Sequence, residues 1–326
     1  MKIRFTRLAI HSGNIEKSEK CYMKYILETD ALTKRYRSFT ALDGLSMHIP
    51  KGAIYGFVGR NGAGKTTLIR LICGLQEPTQ GSYKLYGEEN TSKKITGLRR
   101  RMGAVVETPS IYLDMTAREN ILQQYKVLGI KSQNGIEELL HLVGLTDTGK
   151  KKAKNFSLGM RQRLGIAVAL AGDPDFLVLD EPVNGLDPQG IIEIRELILR
   201  LNKERGITVL ISSHILDELA RVATHYGFID GGKMITEMNA EELNDRCRKC
   251  TRIEVSDSRI LSQVLDKMNA EYKIIDEHRA DIYADLPITE FVIELAHKNC
   301  TVIGMREHDE SLESFYMNLV GGEHNG

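Results

Sequence analysis

Neither sign of charge dominates this 326-residue chain: 44 lysines and arginines balance 44 aspartates and glutamates. A neutral protein casts no global field toward nucleic acid, so direct nucleic-acid binding is not expected. Two basic clusters, Arg99-Arg100-Arg101 and Lys150-Lys151-Lys152, read as solvated helix or loop faces, as such runs usually are. Long apolar runs are missing too. None reaches the roughly twenty residues that cross a bilayer, and the amino terminus has no apolar signal core. A membrane span is therefore not expected, and any membrane pathway the chain served would be built by another polypeptide. Sustained heptads and a second copy of the nucleotide motifs described below are absent as well. Cysteine is scarce, five in all, which suits an intracellular protein with reduced thiols. The remaining composition is ordinary, with 42% hydrophobic residues and enough length for more than one core.

Against this background one segment stands out, Gly59-Arg60-Asn61-Gly62-Ala63-Gly64-Lys65-Thr66. Its glycines let backbone amides converge on an anion, Lys65 can reach the β- and γ-phosphates, and Thr66 offers a hydroxyl to magnesium. The context fits, because residues 53–58 read as a buried strand and 65–75 as a helix whose N-terminal dipole faces the phosphates. Further on, Phe176-Leu177-Val178-Leu179 reads as a central parallel strand that delivers Asp180 and Glu181 to the carboxyl edge of a sheet. Asp180 is suited to magnesium. Glu181, one residue on, is suited to orient or deprotonate the water that attacks the γ-phosphate.

Between these two lies Phe156-Ser157-Leu158-Gly159-Met160, followed by Arg161-Gln162-Arg163 and a helix-like stretch over 164–171. A hydroxyl, free amides and a helix N-terminus all favour an anion, although Ser157 would also serve as a plain N-cap. With this ordered set of three motifs the chain resembles an ABC-type ATPase. The resemblance implies that the signature loop of one subunit acts on the γ-phosphate held by the other. It also implies that Tyr36 stacks on adenine, that His214 in Leu210-Ile211-Ser212-Ser213-His214 contacts the γ-phosphate beside Glu181, and that Asp187 in Asn184-Gly185-Leu186-Asp187 lies in the loop through which the subunits sense each other. The nucleotide-binding set is then Tyr36, Gly59, Asn61, Gly62, Ala63, Gly64, Lys65, Thr66 and Thr67, joined by Ser157, Gly159 and Asp187; Glu181 and His214 are catalytic; Thr66, Asp180 and Glu107 face magnesium.

Glu107 departs from the family pattern, which has glutamine after the strand that here reads Met102-Gly103-Ala104-Val105-Val106. A carboxylate there adds negative charge near the γ-phosphate. Together with the Ser157-Leu158-Gly159-Met160 form of the signature, it resembles the subgroup associated with bacitracin resistance and lantibiotic self-protection.

The expected architecture is α/β: a P-loop ABC ATPase core over 23–240 with a helical subdomain at about 92–171, and a small C-terminal α+β module over 241–326. Helices are predicted at 116–128 and 135–143, and in the module at 258–268, 288–297 and 312–320. Strands are predicted at 251–255, 272–275 and 301–305. Cys247, Cys250, His297 and Cys300 could supply three sulfurs and one imidazole to zinc, but nothing in the sequence brings the two segments together. Cys73 reads as core. Residues 1–22 precede Met23-Lys24-Tyr25-Ile26-Leu27-Glu28, which already resembles a first strand, so they are expected to be a disordered tail from an upstream start.

The function implied is ATP hydrolysis with magnesium by a head-to-tail homodimer at the cytoplasmic face of the cell membrane. It would power export of peptide antibiotics or similar amphiphiles through a separate multi-span permease. A soluble regulatory ATPase acting on protein or nucleic-acid complexes is the alternative.

Overall fold

The computed structural model describes residues 24–247, 250–308 and 312–321. The tail assigned to 1–22 lies outside them. Three sheets organise the described residues. The central one has six strands in the order Lys233–Asn239, His225–Asp230, Ile54–Val58, Thr208–Ser213, Phe176–Asp180, Met102–Val105. All neighbours are parallel except the outermost hairpin formed by His225–Asp230 and Lys233–Asn239. Ile54–Val58, Phe176–Asp180 and Thr208–Ser213 are buried at every position, as the continuous apolar runs of a sheet covered on both faces require. In register, Val58 lies opposite Ser213 and Asp180 opposite Ser212. Three strands therefore end at one level, and the residues that follow them share one carboxyl edge, where α/β folds bind ligands.

A second, antiparallel sheet is built on the long hairpin of Tyr25–Tyr36 and Phe39–Pro50, with Tyr36 opposite Phe39 at its tip. Glu237 ties this sheet to the central one. Its carboxylate accepts from the Tyr55 hydroxyl at 2.5 Å and from the His48 amide at 2.9 Å. Burial, reinforced by the Glu237 charge, pushes the Tyr55 phenol well above its usual pKa, so it stays a donor.

The helical part contains Ala117–Leu128, capped by Thr116 in a capping box with Glu119, then Gly135–Leu142 and Leu158–Leu170. Ile121, Tyr125, Ile136, Leu139, Leu140 and Leu164 pack into the same apolar cluster as Val105 and Leu177 of the central sheet. The last of these helices begins at Leu158, six residues earlier than periodicity indicated, because Ser157 starts it. Gly159 and Arg161 gave the preceding segment too few apolar residues to register as helix.

The carboxy-terminal module has its own antiparallel sheet, ordered Tyr272–Ile274, Arg279–Ile282, Cys250–Val255, Val302–His308, and its own core around Leu261, Phe291 and Leu295. Its helices Ser258–Lys267 and Ile288–His297 lie where the pattern placed them. Arg279–Ile282 had escaped notice, because its alternation lasts only four residues and Ala and Asp are poor strand formers. The final helix, Leu312–Gly321, leaves the module and inserts Phe315, Tyr316 and Val320 into the core of the first 240 residues. There Phe228 meets Phe315 edge-on at 5.8 Å and stacks with Tyr316 at 6.2 Å.

Candidate nucleotide-binding and hydrolysis site

The glycine-rich loop leaves the strand Ile54–Val58 and enters the helix Lys65–Ile72. A side chain at Gly59 would stand 2.6 Å from the carbonyl oxygen of Ile229. Gly64 has φ +109° and the Ala41 carbonyl oxygen 2.5 Å from where a Cβ would be. Only glycine fits either place. The loop is thus pressed against the chain behind it, while Arg60, Asn61 and Gly62 at its tip stay exposed. Ala63 follows, its amide closing a turn on the Arg60 carbonyl at 3.1 Å.

Lys65 is buried, and its Nζ lies 2.6 Å from the Gly59 carbonyl oxygen and 3.1 Å from Glu181 Oε1. The other Glu181 oxygen lies 2.9 Å from His214 Nδ1. A carboxylate only accepts, so Nδ1 carries the proton in this contact and Nε2 is left for a further partner. Glu181 itself has φ +49°, a left-handed conformation that costs a non-glycine residue on the order of 1 kcal/mol. Its amide is held there by the Ser212 carbonyl at 3.2 Å and the Ser212 hydroxyl at 3.0 Å. The same hydroxyl donates to Asp180 Oδ1 at 2.6 Å. Ser212 therefore fixes both acidic residues, a role that the sequence reading gave to no residue. A buried serine at the end of a strand, just ahead of His214, was the available signal.

Asp180 is 1% exposed, and its second oxygen has no hydrogen-bond partner. A buried carboxylate oxygen without a donor is costly. It fits a cation. Thr66, in the first turn of the helix beside Lys65, is half-buried, as is Thr67.

Glu107 lies beyond the strand Met102–Val105, whose Val105 pairs with Leu179, so it emerges at the level of the acidic pair. Its carboxylate, however, is more than half exposed and joined to Arg70, one helical turn beyond Thr66. The Arg70 guanidinium offsets part of that negative charge. Tyr36 is exposed on the hairpin tip, and its hydroxyl is bonded to Gln76.

Ser157 and Asp187 are both N-caps, accepting from Met160 and Gly190 at 3.2 and 3.0 Å. Both are also exposed. A Cβ on Gly159 would have Leu186 and Gly190 as its nearest neighbours, each at 3.9 Å, and one on Gly185 would meet Leu158 at 3.3 Å. The two loops form one continuous surface. Nothing in this chain requires glycine at 159, since ordinary contact distances would accommodate a side chain there.

The cysteines are dispersed. Burial pushes the Cys73 thiol up to about 12 and the Cys250 thiol to about 11. Cys247 packs against the core of the first 240 residues, whereas Cys300 is buried in that of the module. Among the described residues no three His, Cys, Asp or Glu side chains come together to hold a metal. Nor is any described helix long and apolar enough to cross a membrane.

Comparison with known proteins identifies the family. The family model described as ABC transporter matches residues 42–184. The bacitracin transport ATP-binding protein BcrA of Bacillus licheniformis is 42% identical over 305 residues, covering 92% of this chain and 99% of the relative. The lantibiotic transport ATP-binding protein SrtF of Streptococcus pyogenes is 42% identical over 224 residues, 67% of this chain and 95% of that one. Among solved structures, cbiO1 of Clostridium perfringens, part of the ABC transporter complex cbiONQ, aligns with a TM-score of 0.62 at 26% identity, covering 76% of this chain and 96% of the other. Since the likeness to BcrA spans both the nucleotide core and the module that follows it, the chain belongs to the ABC transporter family as one of its ATP-binding subunits, an ATPase.

Proposed function

We propose that two copies of this chain join head to tail, each holding ATP between its own P-loop and Ser157 and Gly159 of the other, and that hydrolysis drives export of peptide antibiotics or similar amphiphiles through a separate membrane permease. The observation that carries the dimer is the surface formed by Ser157, Leu158 and Asp187, all exposed, around a half-buried Gly159 that its own chain does not require. A γ-phosphate approaching the start of the helix Leu158–Leu170 would find free amides, a serine hydroxyl and no side chain in the way. Tyr36 offers its ring to adenine. Lys65 leaves Glu181 for the phosphates, Glu181 takes the proton of the attacking water, and His214 presents Nε2 to the γ-phosphate.

Asp180 and Thr66 are the residues that would hold magnesium, with the unpartnered Asp180 oxygen as the reason. Magnesium bound there supplies positive charge against the phosphate oxygens. Glu107 adds to the same negative field once Arg70 swings aside. Replacing Glu107 with glutamine is expected to raise the magnesium concentration for half-maximal turnover about two- to fivefold, the worth of roughly 0.5–1 kcal/mol for a largely exposed charge, with ATP affinity changed less than twofold. Superimposable metal titrations at saturating ATP would remove Glu107 from the metal field.

Export is supported by the match to BcrA, whose name records bacitracin transport, and a chain that powers it would work at the cytoplasmic face of the membrane. The test is a pull-down of tagged Glu181→Gln protein with magnesium and ATP from detergent-solubilised cells, read by mass spectrometry. A multi-span membrane protein should co-purify. Recovery of soluble complexes alone would support the regulatory alternative.

A further inference from the structure

The final helix reaches the P-loop itself. The backbone amide of Arg60, second residue of the loop, donates to the Tyr316 hydroxyl at 3.0 Å. The Arg60 guanidinium extends over the same helix, with Nη2 3.3 Å from the sulfur of Met317. On its other side, the Arg60 carbonyl accepts the Ala63 amide at 3.1 Å and the Lys65 ammonium at 3.2 Å. The Gly59–Arg60 peptide thus meets the last helix through its N–H and the phosphate-binding lysine through its carbonyl, 2.6 Å from Lys65 Nζ, while the carbonyl of the next peptide closes the turn.

Tyr316 is well placed to hold that peptide still. Its ring is 7% exposed and stacked on Phe228, which pairs with Val58, the last residue of the strand that feeds the loop. Phenylalanine would fill the same space. The hydroxyl adds the link to Arg60 and a long contact, 3.5 Å, to the Ile229 carbonyl. That carbonyl also abuts Gly59, so both residues at the start of the loop are gripped from the same side.

We propose that Tyr316 is a positioning residue for the nucleotide site: by fixing the Arg60 peptide it keeps the loop curved for phosphate, so that the carboxy-terminal helix sets ATP affinity. The gain comes from preorganisation, because a loop already in its bound shape loses less freedom when phosphate arrives. The inference rests on the P-loop being the phosphate site. By linkage, whatever the helix does for ATP, ATP does for the helix. Nucleotide should therefore slow hydrogen exchange across Leu312–Gly321.

The experiment compares full-length Tyr316→Phe with the wild type and with Phe315→Leu, which loosens packing of the same helix without touching Arg60. Binding is read with a fluorescent ATP analogue. Tyr316→Phe is expected to raise Kd and KM about two- to tenfold, the value of one hydrogen bond, with kcat at saturating ATP within twofold. Phe315→Leu should lower Tm more and change Kd less. Equal Kd in Tyr316→Phe and wild type overturns the proposal, as does an equal or larger rise in Phe315→Leu. Wild-type protein that fails to bind the analogue at all would refute the P-loop assignment instead.

Discussion

Glu181→Gln is expected to reduce ATP turnover by about 10²- to 10⁴-fold, the usual contribution of a positioned general base, while ATP still binds. The amide keeps the shape of the side chain and cannot take a proton at neutral pH. Folding should hold, because the left-handed backbone at this position costs glutamine as much as glutamate and the amide bonds to Ser212 come from the main chain. Binding should be no weaker. Glu181 pairs with Lys65 at 3.1 Å, and removing that charge frees the ammonium for phosphate. Bound but unsplit nucleotide should then hold two chains together, visible as an ATP-dependent dimer on gel filtration. Phosphate release at the wild-type rate would sink the assignment of Glu181 as the base.

The second large effect is expected from Lys65→Ala, and it falls on binding. Removing one member of a buried charged pair costs roughly 2–5 kcal/mol, so Kd for ATP should rise at least about 30-fold and by as much as several thousand-fold. Here the lysine also bridges the Gly59 and Arg60 carbonyls, so its loss loosens the loop as well as removing a charge. The two variants separate by class of defect: glutamine at 181 binds without turning over, whereas alanine at 65 fails to bind. A Kd for Lys65→Ala within threefold of wild type would mean that the phosphates sit elsewhere.

How much of this was legible in sequence follows the distance over which each device is built. The P-loop, the acidic pair after Phe176-Leu177-Val178-Leu179, and Ser157-Leu158-Gly159-Met160 are each made by a few consecutive residues. A contiguous backbone can be read from letters. The helices Ala117–Leu128 and Gly135–Leu142 were equally plain, each having an apolar face and the first a capping box as well. Ser212 escaped because its role depends on strand register, which sets its hydroxyl beside Asp180, 32 residues away. The Arg70 partner of Glu107 lies 37 residues away and is reached only after two segments meet at one sheet edge. Likewise the boundary near residue 240 follows the end of the motifs, whereas packing ignores it and draws Phe315 and Tyr316 back into the first core.

That return has a consequence for how the protein is made. Arg60 and Tyr316 are 256 residues apart, and at a translation rate of about 5–20 residues per second the ribosome needs roughly 10 to 50 seconds to go from one to the other. Throughout that interval the nascent P-loop lies among cellular nucleotides without its last contact. The contact becomes possible only when the carboxy-terminal helix emerges, so a chain broken off early would carry every nucleotide motif and still lack it.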